Sequence, residues 1–502
     1  MSRSAHSPIP LADDSAVLER LGIEPQLTRR MSPFGNFAVS FSVISILSGC
    51  MTLYGFGLNT GGPAVMLLGW GAVGLAVLTV GLSLAEVTSA YPASGALFDM
   101  AGRLGGPGWS WLTGWLNMLG LLGGIAGIDY GAAQFTGTLL TLQFGYTPAP
   151  WRTMGIFAAI LLLHAVVNLF NVSVVSLLNG ISVWWHIVGV AVIFLALILV
   201  PSHHQSVDWV FTHYVNNTGW HNPIYVTAIG LLLAQYTFSG YDASAHLAEE
   251  TTSAQQSAPR GIVRSISVSW IAGFFLLFAL TYAIQDYAGT LHTSTGVPPA
   301  QIFLDALGST GAKILLLIVV GAQLFCGAAE TAASSRMIFA FSRDGALPFS
   351  HRWRRTSASG TPRAAVWLSV CLAALLALPS VYSPVAYGAI TAINVVGITP
   401  AYAIPIALRL RRGKSFEPGP WSLGRWSVPL NVFAVVWVAF VTVLVCLPQS
   451  APVTRTTANY APVALAVALA ISGVWWLVGR RSYVPPQVAS PRQADVVEAG
   501  IV

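Results

Sequence analysis

Apolar residues in this chain neither alternate nor form a narrow helical stripe. They run in long blocks separated by short polar stretches. A helix needs about 20 mostly apolar residues to cross the hydrocarbon core of a bilayer. Twelve such blocks are predicted, over roughly 36–58, 63–89, 110–140, 153–171, 177–200, 223–248, 263–286, 312–341, 364–380, 385–408, 427–448 and 460–479. They read as helices rather than barrel strands, because they are continuous and lack two-residue alternation. The expected architecture is an all-α integral membrane protein. Twelve transmembrane helices would fill 34–480, between polar tails at 1–33 and 481–502.

Composition sharpens this picture. Of 502 residues, 55% are hydrophobic and 8% are charged, against about 25% charged in soluble domains. A soluble enzyme, a disordered chain and a nucleic-acid binder are excluded. With the N-terminus placed inside, 21 of the 24 Lys and Arg residues flank the inner ends of the blocks. Only Arg152, Lys313 and Arg455 fall outside. That asymmetry predicts a multi-pass protein of the cytoplasmic membrane with both termini cytoplasmic. Residues 1–33 are polar and acidic (Asp13, Asp14, Glu19, Glu24) and do not form a signal peptide. The four cysteines lie in apolar runs without metal or redox spacing. The loop 201–222 holds His203, His204, Asp208, His213 and His221, and a solvated loop is expected there rather than a metal site. No metal and no cofactor are expected.

Backbone polar groups in lipid must be satisfied within the helix, so glycine and polar clusters at mid-membrane need a reason. The first block reads Ser45-Ile46-Leu47-Ser48-Gly49-Cys50-Met51-Thr52 at its centre. The sixth reads Tyr236-Thr237-Phe238-Ser239-Gly240-Tyr241-Asp242. The two Ser-Gly pairs stand 191 residues and five blocks apart. Five is odd, so the second unit enters the membrane from the opposite side. This is the arithmetic of an inverted repeat with the first and sixth helices discontinuous. Repeat one would cover 34–200 and repeat two 223–408. A broken helix offers N–H groups at one stub and C=O groups at the other, which suits a zwitterion. Tight packing or a simple kink is the plainer alternative. In the third block Gly120, Gly123, Gly124, Gly127 and Gly131 form G-x-x-x-G spacings, which predict close helix approach. Gly69 to Gly74 matches G-x-G-x-x-G inside an apolar run with no preceding strand, so no dinucleotide site is expected.

Ionisable residues within the apolar blocks are costly and hence candidates for function. They are Glu86, Asp129, His164, His186, Asp242, His246 and Glu330. Asp242 follows the Gly240 break and could cap the next helical stub, meet an amine or form an inner gate. Glu330, near Thr331, Ser334 and Ser335, suits proton carriage, or is bonded to neighbouring hydroxyls. His186 is the second proton candidate, or a structural histidine. Asp129 shapes the site or pairs across helices. Glu86 lies near the inner end, where solvent weakens its case. His164 and His246 are read as structural.

Four stretches together resemble the amino acid–polyamine–organocation transporter superfamily, within it the amino acid/choline branch. They are Ser42 to Tyr54-Gly55; Ala85-Glu86-Val87 with Tyr91-Pro92-Ala93-Ser94-Gly95; Gln235 to His246 with Glu249-Glu250-Thr251; and Ser335-Arg336 to Leu347-Pro348. The tryptophan pair before His186 adds to the match. The resemblance implies a LeuT-like five-plus-five repeat with two extra C-terminal helices, at about 427–480, and alternating access. It implies a substrate site lined by Ser45, Leu47, Ser48, Gly49, Cys50 and Met51 on one wall. Tyr236, Thr237, Phe238, Ser239 and Gly240 would form the facing wall, with Asp129 close by. Tyr236 or Phe238 would serve as an aromatic gate and Asp242 as part of an inner gate. Gly95-Ala96 stands where relatives often carry Gly-Gly, and Glu330 is unusual at its position. For ion coupling, His186 and Glu330 would serve a proton, whereas Ser334 and Ser335 match remnants of a sodium site.

The function expected is a secondary transporter carrying amino acids or related amines such as γ-aminobutyrate, by proton symport. Its partners would be a small-molecule amine or amino acid, a coupling ion and membrane lipid, with no nucleic acid. An amine exchanger or a choline or polyamine permease is the alternative. A channel or a transport-dead sensor is the reading from a different class. No P-loop, G-x-x-x-x-G-K-[ST], and no H-E-x-x-H motif occurs in the chain.

Overall fold

A computed structural model of the chain describes residues 14–23, 27–170, 172–293, 295–383 and 385–485. Of the expected tails, residues 1–13, 24–26 and 486–502 lie outside this set. The described residues form α-helices and short 3-10 turns, with no strand among them. The helices are α1 (Asp14–Arg20), α2 (Pro33–Ile44), α3 (Ile46–Asn59), α4 (Gly62–Ala90), α5 (Ala96–Gly105), α6 (Pro107–Phe144) and α7 (Pro150–Asn168). Then follow α8 (Val172–Leu199), α9 (Val207–Thr212), α10 (Pro223–Gly230), α11 (Leu232–Thr237), α12 (Ala243–His246) and α13 (Ala254–Tyr282). The remainder are α14 (Tyr287–Leu291), α15 (Pro298–Arg343), α16 (Ser350–Trp353), α17 (Arg363–Ala377), α18 (Val385–Arg412), α19 (Ser427–Cys446) and α20 (Ala461–Gly479).

Proline punctuates this order. Pro33, Pro63, Pro107, Pro150, Pro223 and Pro298 each stand in the first turn of a helix. There the missing N–H costs nothing and the fixed φ favours helix entry. Eleven spans among the described residues are long and apolar enough to cross a membrane. The sixth expected block is the exception. It holds only the shorter apolar helix Pro223–Thr237, and the chain leaves helical geometry before α12. The eighth block, expected at 312–341, extends to Pro298–Arg343, with a non-helical Gly308 (φ 67°, ψ −179°) inside it.

Burial sorts the helices into centre and rim. In the apolar windows of Pro33–Asn59 and Pro107–Phe144, 83% of residues are buried, against 11% in Ala461–Gly479. The rim helices are apolar on exposed faces, as lipid contact requires. The central contacts are α18 on α6, α15 on α6 and α13 on α4. Gly120 and Gly397 bring α6 and α18 together backbone to backbone. A Cβ at Gly120 would stand 2.5 Å from the Ile398 nitrogen, and one at Gly397 would stand 2.5 Å from the Gly120 nitrogen. The expected close approach along the third block is thus present. The N-terminal tail is partly built into the fold, since Val17, Leu18, Leu21 and Ile23 bury against Ala93 and Tyr91.

Candidate functional site

Two interruptions meet at the centre of the bundle. The first lies at Ser45, where φ 29° and ψ 83° separate α2 from α3. No side chain caps α3 there; the Ser48 and Gly49 N–H groups bond back to the Ser45 carbonyl, which leaves the N–H groups of Ile46 and Leu47 at the start of the helix. The second runs from Phe238 to Asp242, between α11 and α12. Gly240 sits within it at φ 82°, and a Cβ there would collide with Val43. Only glycine combines the left-handed turn with that approach. The two interruptions touch: a Cβ on Gly49 would stand 2.7 Å from the Thr237 side chain.

A small cavity lies between them, with a volume of about 20 Å³. Ser48 and Gly49 line it from α3, and Tyr236, Thr237, Ser239 and Gly240 from the second interruption. Glu330 reaches it from α15. The Glu330 side chain is buried, and its Oε2 has no hydrogen-bond partner among the described residues. Bonding to nearby hydroxyls, one of the two expectations for Glu330, is not found. Asn394 of α18 also lines the cavity. It accepts from the Ser239 hydroxyl at 3.0 Å and donates to the Gly120 carbonyl at 2.9 Å.

The other expected residues separate into groups. Ser45 stands at the break itself, with its Oγ 2.7 Å from His186 Nε2. His186 Nδ1 is 2.8 Å from the Ser182 carbonyl. Cys50 meets the Thr237 hydroxyl. Leu47 and Met51 are buried in the surrounding core, and Phe238 turns away to stack on Trp70 at 4.3 Å. Phe238 therefore lies off the wall expected for it, and its own backbone (φ −83°, ψ 42°) already leaves helical geometry at the end of α11. Asp129 does not line the cavity. It pairs with His164 Nδ1 at 2.9 Å, the cross-helix pairing that was one of its two expected roles. Ser334 donates to Ser369, and Ser335 donates to the Ala332 carbonyl.

Asp242 gives its stub no side-chain cap. Its Oδ1 accepts from the Tyr402 hydroxyl at 2.8 Å, and its Oδ2 lies 3.1 Å from His246 Nε2. The same Tyr402 hydroxyl accepts from the Gly240 N–H at 3.0 Å. The capping role is thus replaced by a bridge from α18 to the interruption. Tyr402 and Asn394 escaped the sequence reading. Both are uncharged polar residues in an apolar helix, and only ionisable groups were singled out there.

Three of the four stretches that carry the resemblance gather at the arginine-rich end of the bundle. Glu249 pairs with Arg343 at 3.1 Å and accepts from the Ser94 N–H at 2.9 Å. Glu250 pairs with Arg336 at 2.9 Å. Glu86 pairs with Arg409 at 2.9 Å and accepts from the Ser427 hydroxyl and the Leu423 N–H. The solvent access expected for Glu86 is not found, since its side chain is buried among these partners. Among the described residues no cluster of three metal-ligating side chains occurs. In the histidine-bearing loop, His204 stacks on Tyr282 and His213 on Trp209.

These features define a helical, multi-pass membrane protein with a polar cavity between two interrupted segments. Residues 32–469 match the family model described as amino acid permease, and the chain belongs to that family. It is 38% identical over 497 residues to the amino-acid permease BAT1 of Arabidopsis thaliana, covering 95% of this chain and 96% of that protein. It is 40% identical to the BAT1 homolog of Oryza sativa subsp. japonica, over 93% and 94% of the two chains. The GABA-specific permease of Saccharomyces cerevisiae is 29% identical, over 97% of this chain and 88% of its own length. These relatives are named as permeases, not as enzymes.

Proposed function

We propose that this chain is a secondary transporter that carries amino acids or related amines, γ-aminobutyrate among them, across the cytoplasmic membrane by proton symport. The observation that carries the proposal is the cavity walled from both interruptions, with the uncapped start of α3 on one side. That start is an electropositive stub suited to a carboxylate. The name of the GABA-specific relative supports the substrate class.

In this proposal α10 to α12 cross the membrane as one broken segment and bring the crossings to twelve. The five-plus-five repeat relates the Ser45 break to the one at Phe238 to Asp242, and both termini are cytoplasmic. Tyr236 gates the cavity, and the Asp242–Tyr402 bridge holds the inner side closed. His186 takes the coupling proton. Its Nδ1 donates to the Ser182 carbonyl, leaving Nε2 to accept from Ser45. A proton on Nε2 turns that atom into a donor and forces the Ser45 hydroxyl to reorient. Ser45 is the joint between α2 and α3, so the proton acts on the joint.

The test is uptake of a labelled amino acid and amine panel into sealed liposomes holding the purified chain. Uptake driven by a pH gradient is expected. His186→Gln is expected to lower that drive about tenfold, in the range of ordinary coupling energies, while equilibrium binding persists. Uptake that needs only preloaded amine would replace symport by exchange. Absence of saturable flux from folded protein would reject transport.

A further inference from the structure

We infer that Glu330 is the anchor for the substrate's ammonium group, and that the site selects primary amines through it. This rests on the reading of the cavity as the substrate site. Two other carboxylates, Asp242 and Asp129, lie within electrostatic reach of Glu330. Both have a partner. Asp242 has His246 and Tyr402, and Asp129 has His164. Asp129 Oδ1 and Glu330 Oε2 both have no hydrogen-bond partner among the described residues, but of the three carboxylates only Glu330 lines the cavity.

A buried carboxylate left without a cation is costly in a membrane interior, and it is retained where something arrives to pair with it. Two glycines make the space that the Glu330 carboxylate itself occupies at the cavity wall. A Cβ on Gly124 would run into Glu330 Oε1, and a Cβ on Gly240 would stand 3.6 Å from Oε2. Both positions are bare. Asn394, the polar neighbour on α18, already spends its Oδ1 on Ser239 and its amide on Gly120. It is thus held in place beside Glu330 rather than pairing with it. A primary ammonium supplies three donors and a charge, and meets both needs of the site. Its carboxylate, where the substrate has one, is left for the stub of α3.

This assignment differs from proton carriage by Glu330 in one observable. A proton carrier replaced by glutamine keeps binding and loses its response to a pH gradient. An anchor replaced by glutamine loses binding. The experiment is isothermal titration of the full chain in detergent with the common amino acids, γ-aminobutyrate and putrescine. For the tightest binder, its N-acetyl derivative is then titrated. Wild type is expected to bind the amine and to bind the acetylated form at least tenfold more weakly. Glu330→Gln is expected to raise Kd at least tenfold, with Glu330→Asp between the two. The Gln variant keeps the shape and removes an unpaired charge, so it is expected to fold. Unchanged Kd in Glu330→Gln with lost pH drive would overturn the anchor and leave the transport reading standing. Equal binding of the amine and its acetylated form by wild type would overturn it without any variant. No amine bound by wild type would overturn both.

Discussion

At the scale of single residues, Tyr402 is the side chain on which the second interruption hangs. Its hydroxyl accepts from the Gly240 N–H and donates to Asp242. Tyr402→Phe removes both bonds and leaves a buried N–H and a buried carboxylate oxygen short of partners, at a cost of about 1–3 kcal/mol each. The expected outcome is a lower unfolding temperature in detergent and weaker substrate binding. A Tyr402→Phe protein with wild-type melting and binding would show that the bridge holds nothing. Neither Tyr402 nor Asn394 was legible in the sequence, while Glu330, His186 and Asp242 were. A charge in an apolar block stands out because it is expensive to bury. A hydroxyl or amide costs less and leaves no comparable trace. Phe238 marks a different limit. Its nearness to the break was readable, but its direction depends on its own backbone angles at the end of α11, which letters do not display.

At the scale of elements, the glycines of α6 divide into two jobs. Gly120 and Gly123 face backbone atoms of α18, whereas Gly124 faces the ends of Glu330 and Asn394. Backbone does not yield as side-chain ends do. Gly120→Ala is therefore expected to destabilise the fold by about 1–3 kcal/mol through overpacking. Gly124→Ala is expected to melt near wild type while losing uptake, because its methyl enters the cavity. Thermal unfolding and liposome flux, measured side by side, separate the two. The reverse pattern would mean that Gly124 is the packing residue. The G-x-x-x-G spacing was plain in the sequence and correctly announced close approach. It carried no sign that one face of the same helix serves a cavity. Likewise, hydropathy averaged over the block at 223–248 conceals an interruption of five residues, Phe238 to Asp242.

At the scale of the whole molecule, the arginine-rich end is tied by buried ion pairs that join distant parts of the chain. Arg336 and Glu250 are each 1% exposed. Removing one member leaves the other as an uncompensated buried charge, which costs about 3–5 kcal/mol. Arg336→Met is expected to lower stability by that order, and Arg336→Met with Glu250→Gln to recover most of it. A double variant no better than the single one would place the loss in packing rather than in charge. The helical, membrane-spanning character of the molecule was fully legible, because block length and charge asymmetry are averages over many residues. The pairing of Glu249 with Arg343 and of Glu250 with Arg336 was not, since it depends on how two separate stretches of the chain fold to one end.

Cys326 borders the cavity with its thiol held 3.2 Å from the Val43 carbonyl, buried from every side. Cys50 is also buried, while Cys371 is exposed and Cys446 partly so. Once the latter two are replaced by serine, a small thiol reagent reaches Cys326 only by way of the cavity. On the proposed transport reading, its rate of labelling is expected to track opening of the cavity, a native stopwatch readable by mass spectrometry without any attached dye.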